Sequence, residues 1–137
     1  FKGVSSSGNI NWSQYIVTEF LKNEDINEHI AKISVIYEKK AQAMYDKMKK
    51  CFHPSVEYTM PQGGMFIWAK LPDKVKATDF CLDAAKNLRI AVVPGNDFFY
   101  GSPDDCSYIR LNFSKPSILD IEYGIEKLGE LTYKYFE

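Results

Sequence analysis

The stretch SYIRLNFS, residues 107–114, contains the side chain with the most specific chemistry in this sequence. Of the 17 lysine and arginine residues only Arg89 and Arg110 are arginine, so the chain usually supplies positive charge with lysine. An arginine at the centre of a predicted strand indicates a use for the planar guanidinium, which binds carboxylates through two parallel N–H donors. Arg110 is therefore a candidate anion-binding residue, and a solvated strand arginine is the competing interpretation.

The alternation of this strand predicts which way each side chain points. Ile109, Leu111 and Phe113 form an apolar face, and Tyr108, Arg110 and Asn112 form the opposite one. An apolar face of this kind packs beneath helices in a small domain. The sequence therefore predicts that Arg110 points away from the core, towards water or another domain.

Composition and charge exclude several functional classes. A hydrophobic content of 45% with 26% charged residues is typical of a soluble globular protein. The net charge of −1 provides no bulk field for nucleic acid or an anionic membrane. The apolar runs are too short to cross a bilayer, and no signal-peptide pattern is present. We therefore expect a cytoplasmic protein with no membrane partner.

The cysteines and histidines predict no metal site. Cys51, Cys81 and Cys106 are odd in number and have no CxxC spacing, which is typical of reduced thiols in a cytoplasmic protein. His29 and His53 share no ligand-like spacing with cysteines or carboxylates.

A long helix and a small sheet are the elements that must position Arg110. The apolar residues of the long helix recur every three or four positions, at Ile26, Ile30, Ile33, Tyr37, Ala41, Met44 and Met48. Asp25 and Glu28 resemble a capping box at its start, and Pro54 predicts its end. A shorter helical stretch with Tyr15, Ile16, Phe20 and Leu21 precedes it.

The rest of the chain alternates strands with helices. SVEYTM and MFIWAKL are predicted strands joined by a PQGG turn, with Met65, Ile67, Ala69 and Leu71 on one face and Phe66, Trp68 and Lys70 on the other. ATDFCLDAAKN is a predicted helix capped by Thr78, and Pro116 with Ser117 opens a final helix. The predicted fold class is α/β, of the α+β small-domain kind: a long N-terminal connector helix, then a small, mostly antiparallel sheet with helices on one face.

Four motifs in order carry a resemblance to a known family. PQGGMFIWAKLP (61–72), AVVPGNDFF (91–99), YIRLNFS (108–114) and IEYGIEKLGEL (121–131) resemble the C-terminal part of fold-type I, class I/II pyridoxal-phosphate aminotransferases. The similarity is greatest to aromatic and aminoadipate-type enzymes and their regulator-fused relatives. It implies that residues 1–50 are a helical segment and connector helix from the large domain, and that residues 51–137 are the small domain.

The resemblance also implies roles for individual residues. Arg110 corresponds to the family's arginine that binds the substrate α-carboxylate. Phe66 and Phe98 correspond to aromatic positions near the substrate side chain, and Gly64 to a position that shapes the pocket. Ordinary core packing for the two phenylalanines, and a simple turn at Gly63 and Gly64, are the competing interpretations.

The same resemblance implies what the segment does not hold. Pyridoxal 5'-phosphate is expected in the full-length protein, but the cofactor lysine and phosphate-binding residues of the family precede anything in this sequence. No catalytic residue and no bound cofactor are therefore expected in this segment, which should be inactive alone. Lys115 in FSKP follows the carboxylate-binding strand, where no cofactor lysine belongs. Phe1 is not an initiator methionine, and we expect a fragment of a longer chain.

Several functions remain open at this point. The first is an aminotransferase that uses an amino acid and a 2-oxo acid, works as a homodimer when full length, includes an N-terminal large domain, and binds no nucleic acid through this segment. The second is the effector-binding domain of a winged-helix regulator. A free-standing binding module and a related lyase are further alternatives. The intact YIRLNFS strand favours the enzyme, because many such regulators depart from it.

Overall fold

The computed structural model describes residues 18–19, 22, 25–101 and 106–136. By compactness the chain divides into two units, Phe1–Val35 and Ile36–Glu137. The helices are α1 (Ile26–Cys51), α2 (Ala77–Asp83) and α3 (Ile118–Phe136), and the strands are β1 (Glu57–Tyr58), β2 (Phe66–Lys70), β3 (Val93–Pro94) and β4 (Tyr108–Asn112). A π-helix, Ala84–Leu88, follows α2, and a 3-10 helix, Gly95–Phe98, follows β3. The residues Tyr15, Ile16, Phe20 and Leu21 of the predicted shorter helical stretch lie outside the described residues.

Helix α1 has the ends that the sequence predicts. The Asp25 Oδ1 accepts hydrogen bonds from the backbone N–H groups of Asn27 (2.9 Å) and Glu28 (3.3 Å), so Asp25 caps two donors that the helix leaves unpaired. The Glu28 carboxylate pairs with Lys32 at 2.7 Å. The helix ends at Cys51, three residues before Pro54.

The apolar stripe of α1 is buried along only part of its length. Ala41, Met44 and Met48 are buried in the core of the Ile36–Glu137 unit. Ile26 and Ile30, the first two members of the stripe, are 38% and 54% exposed. Periodicity alone thus identified the correct helix face, but the length over which that face is covered depends on the elements packed against it.

The strands form one four-stranded antiparallel sheet in the order β1-β2-β4-β3. Strand β4 pairs with β2 along its whole length and with the short β3 on its other side. The prediction of a small, mostly antiparallel sheet is confirmed. Strands β1 and β3 are only two residues long, and β1 is shorter than the predicted SVEYTM strand. The strand that carries Arg110 is therefore internal to the sheet.

The two faces of the sheet differ in burial. The inner face, which consists of Ile67, Ala69, Ile109 and Leu111, belongs to one hydrophobic cluster with Phe113 and the α3 residues Ile121, Ile125, Leu128 and Leu131. The outer face consists of Phe66, Trp68, Lys70, Val93, Tyr108, Arg110 and Asn112, all half-buried or exposed. The predicted burial of Ile109, Leu111 and Phe113 in the core with the final helix is confirmed. Met65 departs from its predicted face, since it is 41% exposed in the turn before β2.

The start of α2 differs from the prediction. Thr78 was the predicted N-cap, but α2 begins at Ala77 and its N-cap residue is Lys76, whose side chain makes no capping bond. The Ala77 N–H instead donates to the backbone carbonyl of Cys106 at 2.8 Å. A long-range backbone bond therefore satisfies a donor at this helix start, and Thr78 falls within the first turn.

Helix α3 begins with the predicted serine and packs against the end of α1. The Ser117 Oγ accepts the Asp120 N–H at 3.1 Å, and the Asp120 carboxylate accepts the Ser117 N–H at 3.3 Å, which forms a capping box. Further along α3, the buried Thr132 hydroxyl accepts the His53 N–H at 3.0 Å. Within the described ranges no helix is long and apolar enough to cross a membrane.

Candidate functional site

Arg110 occupies the centre of the outer face. In the sheet register it lies between Trp68 of β2 and Val93 of β3. Its neighbours in the strand, Ile109 and Leu111, are buried on the inner face, and this alternation directs Arg110 to the opposite side. The orientation predicted from the sequence is confirmed. Because β4 is paired with a strand on each side, the backbone position of Arg110 is well defined.

Two aromatic rings hold the Arg110 guanidinium. Its Cζ lies 4.1 Å from the centroid of the Phe66 ring and 4.4 Å from that of Phe98. Both distances are well within the range of a cation–π contact, and arginine stacks on aromatic faces because its guanidinium is planar. Rings above the plane of a guanidinium leave its N–H bonds, which lie in that plane, free to define the direction of an acceptor. The structure thus brings together three of the four residues that the sequence assigned to substrate binding.

The 3-10 helix places Phe98 over Arg110. Gly95 at the start of that helix packs so closely on β4 that a Cβ there would lie 3.0 Å from the Cβ of Tyr108. Phe98 follows at the end of the helix, with 49% of its surface exposed. The exposed fraction rules out the competing interpretation of ordinary core packing for this ring.

Trp68 is a further member of the site that the sequence did not single out. Its ring makes edge contacts with Phe98 at 5.3 Å and with Phe99 at 6.4 Å between centroids. The sequence did contain a signal for Trp68, because strand alternation places it on the same face as Phe66. What the sequence lacked was the position of the 3-10 helix that brings Phe98 and Phe99 against it.

The hydrogen-bonding donors of Arg110 are unused in the described part of the chain. The Nε atom is buried and has no hydrogen-bond partner there, and no ion pair involves the guanidinium among these residues. A buried donor without an acceptor is costly, and a partly buried guanidinium without an anion is more so. Among the described residues, this environment is neither that of a freely solvated arginine nor that of a structural salt bridge. It fits a group that receives an anionic ligand.

Gly64, the fourth assigned residue, lies in the turn that leads into β2. Its φ of +81° is in the left-handed region that favours glycine, and a Cβ built there would meet no atom within 4 Å. Gly63 precedes it with equally open space around it. These features agree with the simple turn interpretation, and the assignment of Gly64 to substrate binding stays a prediction.

Two lysine side chains, one on the outer face and one on α1, already have partners. The lysine on this face, Lys70, pairs with Asp73 at 3.3 Å, and this hydrogen bond raises the pKa of the Lys70 ammonium. A covalent bond to the pyridoxal aldehyde requires the unprotonated amine, and the ion pair with Asp73 favours the protonated form of Lys70. Lys40 of α1 is also engaged, since it donates to the backbone carbonyl of Ser114 at 3.0 Å.

Comparisons with known proteins agree with this geometry. No protein-family model matches the chain. It is 34% identical to aromatic-amino-acid aminotransferase 1 of Thermococcus litoralis over 87% of this chain and 28% of that protein. LysN, the alpha-aminoadipate aminotransferase of Thermus thermophilus in complex with N-(5'-phosphopyridoxyl)-L-leucine, matches with a TM-score of 0.81 and 31% identity, over 88% of this chain and 30% of that chain. The HTH-type transcriptional regulator NorG of Staphylococcus aureus is 26% identical over 85% of this chain and 25% of that protein.

The homologues and structural neighbours of this chain are fold-type I pyridoxal-phosphate aminotransferases, and a regulator-fused relative also appears. The resemblance read from the four sequence motifs is therefore confirmed. The chain spans about 30% of the length of the proteins it matches.

Proposed function

We propose that this chain is the C-terminal segment of a pyridoxal-phosphate-dependent aminotransferase, in which Arg110 binds the α-carboxylate of the substrate. The full protein would transfer an amino group between an amino acid and a 2-oxo acid. The observation that carries the proposal is the Arg110 guanidinium, which contacts the rings of both Phe66 and Phe98 and has no acceptor among the described residues. Both substrates of a transaminase carry a carboxylate next to the reacting carbon, so one arginine serves both.

The geometry supports a role in orientation as well as binding. Two parallel N–H···O bonds between a guanidinium and a carboxylate fix both the position and the rotation of the bound molecule. The rings of Phe66 and Phe98 restrict the rotation of the guanidinium in turn. Pyridoxal phosphate, when bound, supplies the electron sink for the reaction, and the bond that breaks is chosen by the orientation of the substrate against it. Arg110 would set that orientation.

The proposal includes an arrangement of domains. Residues 1–50 would belong to a helical segment and connector helix of the large domain, and residues 51–137 would form the small domain. The last turns of α1 would serve both, since Met44 and Met48 are buried in the core of the Ile36–Glu137 unit. The cofactor lysine and the phosphate-binding residues would come from the rest of the chain.

Substitution of Arg110 in the full-length protein tests the function. Arg110→Lys keeps the charge but loses one arm of the two-pronged contact, and a hydrogen bond to a charged group is worth about 1.5–3 kcal/mol. We expect kcat/KM for amino acids to fall roughly ten- to a hundredfold in this variant, and further in Arg110→Ala. Arg89→Lys, at the chain's other arginine, is the matched control and should leave kcat/KM unchanged.

Three outcomes would contradict the proposal. A kcat/KM of Arg110→Ala within about twofold of the wild-type value would show that Arg110 does not bind the carboxylate. Unfolding of the same variant would instead assign Arg110 a structural role. Absence of transaminase activity from the wild-type protein, with several amino acids and 2-oxo acids as substrates, would reject the enzyme itself.

A regulator is the second candidate function. The specific observation in its favour is the match to NorG, which spans as much of this chain as the enzyme matches do. In that case the outer face would bind an amino-acid effector and the full protein would carry a DNA-binding domain. The sequence upstream of Phe1 discriminates the two, because a winged-helix segment there would favour the regulator.

The remaining partners follow from the enzyme proposal. We propose a homodimeric, cytoplasmic protein that binds no nucleic acid through this segment. Sedimentation of the full-length protein and its retention of activity after nuclease treatment would test these points. A monomer with full activity would refute the dimer.

A further inference from the structure

Asn112 is the next residue after Arg110 on the outer face of β4. The two residues alternate in β4, so their Cα atoms are roughly 6.8 Å apart on one side of the sheet. Phe66 is the register partner of Asn112, yet its ring centroid lies 4.1 Å from the Arg110 Cζ. The Phe66 ring, opposite Asn112, thus contacts the guanidinium of the next residue on the same face, so Arg110 and Asn112 border the same part of the outer face, where Asn112 is exposed.

Hydrogen bonds from Ser114 determine the orientation of the Asn112 amide. The Asn112 Oδ1 accepts from the Ser114 backbone N–H at 2.7 Å and from the Ser114 hydroxyl at 2.7 Å. A backbone N–H can only donate, so the atom that faces Ser114 must be the oxygen and not the nitrogen. The NH₂ group is consequently on the side of the amide away from Ser114. It makes no hydrogen bond to the residues that the structure describes.

Ser114 is itself held by the long helix. Its backbone carbonyl accepts the Lys40 ammonium of α1 at 3.0 Å. The contact is partly buried, so the turn that follows β4 is tied to α1 rather than free in solvent. The Asn112 amide is thus an oriented pair of donors on a supported turn, and a preorganised donor loses less entropy when a ligand arrives.

We propose that Asn112 is a second donor to the carboxylate that Arg110 binds, and that Ser114 is the positioning residue that aims its amide. The inference rests on the proposed function of Arg110. The Asn112 NH₂ would donate one hydrogen bond to a carboxylate oxygen at the edge of the guanidinium. The amino acid and the 2-oxo acid both carry this group, so Asn112 serves both half-reactions.

Asn112→Asp separates this role from that of a turn residue. An aspartate accepts the same two bonds from Ser114, so the turn is retained, but it replaces the donor with an anionic oxygen that repels a carboxylate. In the full-length protein we expect the KM for both substrates to rise roughly ten- to a hundredfold, with a smaller change in kcat, because the contact forms when the substrate binds. Asn112→Ala should raise KM roughly tenfold.

Two controls make the result specific. Asn27→Asp adds the same charge to the exposed first turn of α1, outside the outer face, and should leave KM unchanged. Butyrate, a carboxylate without an amino group, should compete with the amino acid less well in Asn112→Asp than in the wild type, by a factor similar to the rise in KM. The thermal midpoint of Asn112→Asp should match that of the wild type.

The outcomes separate this inference from the proposed function. Loss of activity in Arg110→Ala together with a KM within twofold of wild type in Asn112→Asp would overturn the role of Asn112 alone. A wild-type protein without transaminase activity would overturn both. Unfolding of Asn112→Asp and of Asn112→Ala would show that Asn112 serves only the turn and would also overturn the inference.

Discussion

The inner and outer faces of the same four-stranded sheet differ in burial and in the hydrogen bonding of their side chains. On the inner face Ile67, Ala69 and Ile109 are at most 1% exposed and are covered by helices of the chain itself. On the outer face Arg110 is held by aromatic rings, yet its Nε donor has no partner in the described residues. The inner face is covered by the chain itself, and the outer face presents a buried donor that has no acceptor among the described residues.

This difference indicates that the inner face contributes mainly to stability and the outer face mainly to binding. Side chains of a closed core contribute to the free energy of unfolding through burial, and each loss leaves a cavity. Side chains of the outer face bury less area and contribute chiefly through the geometry of a charged group. Substitutions on the two faces should therefore affect different measurements, although the residues alternate along one strand.

The largest expected loss of stability comes from Phe113→Ala. Phe113 is 1% exposed and contacts Tyr37 of α1 with ring centroids 6.4 Å apart. Truncation of a buried phenylalanine costs about 3–5 kcal/mol, and urea unfolding should show this decrease. Phe98→Ala, a matched change on the outer face, should cost about 1 kcal/mol because the ring is half exposed and loses mainly its cation–π contact. Equal losses in the two variants would remove the distinction between the faces.

The pH dependence of stability measures how well water is excluded from the Cys81 thiol, on the helix side of the sheet. Burial raises the pKa of the Cys81 thiol to about 12 from an ordinary value of 9.0. Between these values the unfolded chain releases the thiol proton and the folded chain keeps it, so the free energy of unfolding falls as pH rises. The slope from one such group approaches about 1.4 kcal/mol per pH unit.

Cys81→Ala isolates this contribution. Burial also raises the pKa of Tyr58 and Tyr135, which adds a slope of the same sign in both proteins. Urea unfolding between pH values of about 8 and 11 should therefore show a shallower decline in Cys81→Ala than in the wild type. Parallel declines would mean that solvent reaches the thiol.

Gly129→Ala should disturb the contact between α1 and α3 that closes the core. A Cβ at Gly129 would overlap the backbone carbonyl group of Cys51, which cannot move without shifting the end of α1. We expect a loss of about 1–3 kcal/mol in the free energy of unfolding. Gly124→Ala in the same helix meets open space and should stabilise by up to about 1 kcal/mol. If both variants change alike, helix propensity and not close packing governs this region.

The smallest expected effect concerns the start of α3. Ser117→Ala removes the oxygen that accepts the Asp120 N–H and should lower the free energy of unfolding by about 1 kcal/mol. Ser117→Asp restores an acceptor and should recover most of that loss. Because α3 covers the inner face, kcat/KM of the full-length protein should not change in Ser117→Ala. A large loss of activity would show that the two faces are coupled.

Much of the fold was predictable because it depends on local rules. Asp25 and Ser117 cap helices through hydrogen bonds to residues two or three positions away, and the sequence spacing predicts such bonds. The start of α2 could not be predicted from the sequence, because the Ala77 N–H donates to the backbone carbonyl of Cys106, which is distant in the chain. The burial of the α1 stripe was predictable in its face but not in its extent, which depends on what packs against it.

By itself the sequence determined the faces of the strands and hence the direction of Arg110, because strand side chains alternate strictly whatever the strand contacts. It also placed Phe66 and Phe98 among the candidates through the resemblance to aminotransferases. Only the tertiary structure decided that both rings contact the guanidinium, and that Ser114 orients the Asn112 amide. The reason is that β2, the 3-10 helix and β4 are separated in the sequence, and the distances between their side chains arise only when the sheet pairs and the core packs beneath it.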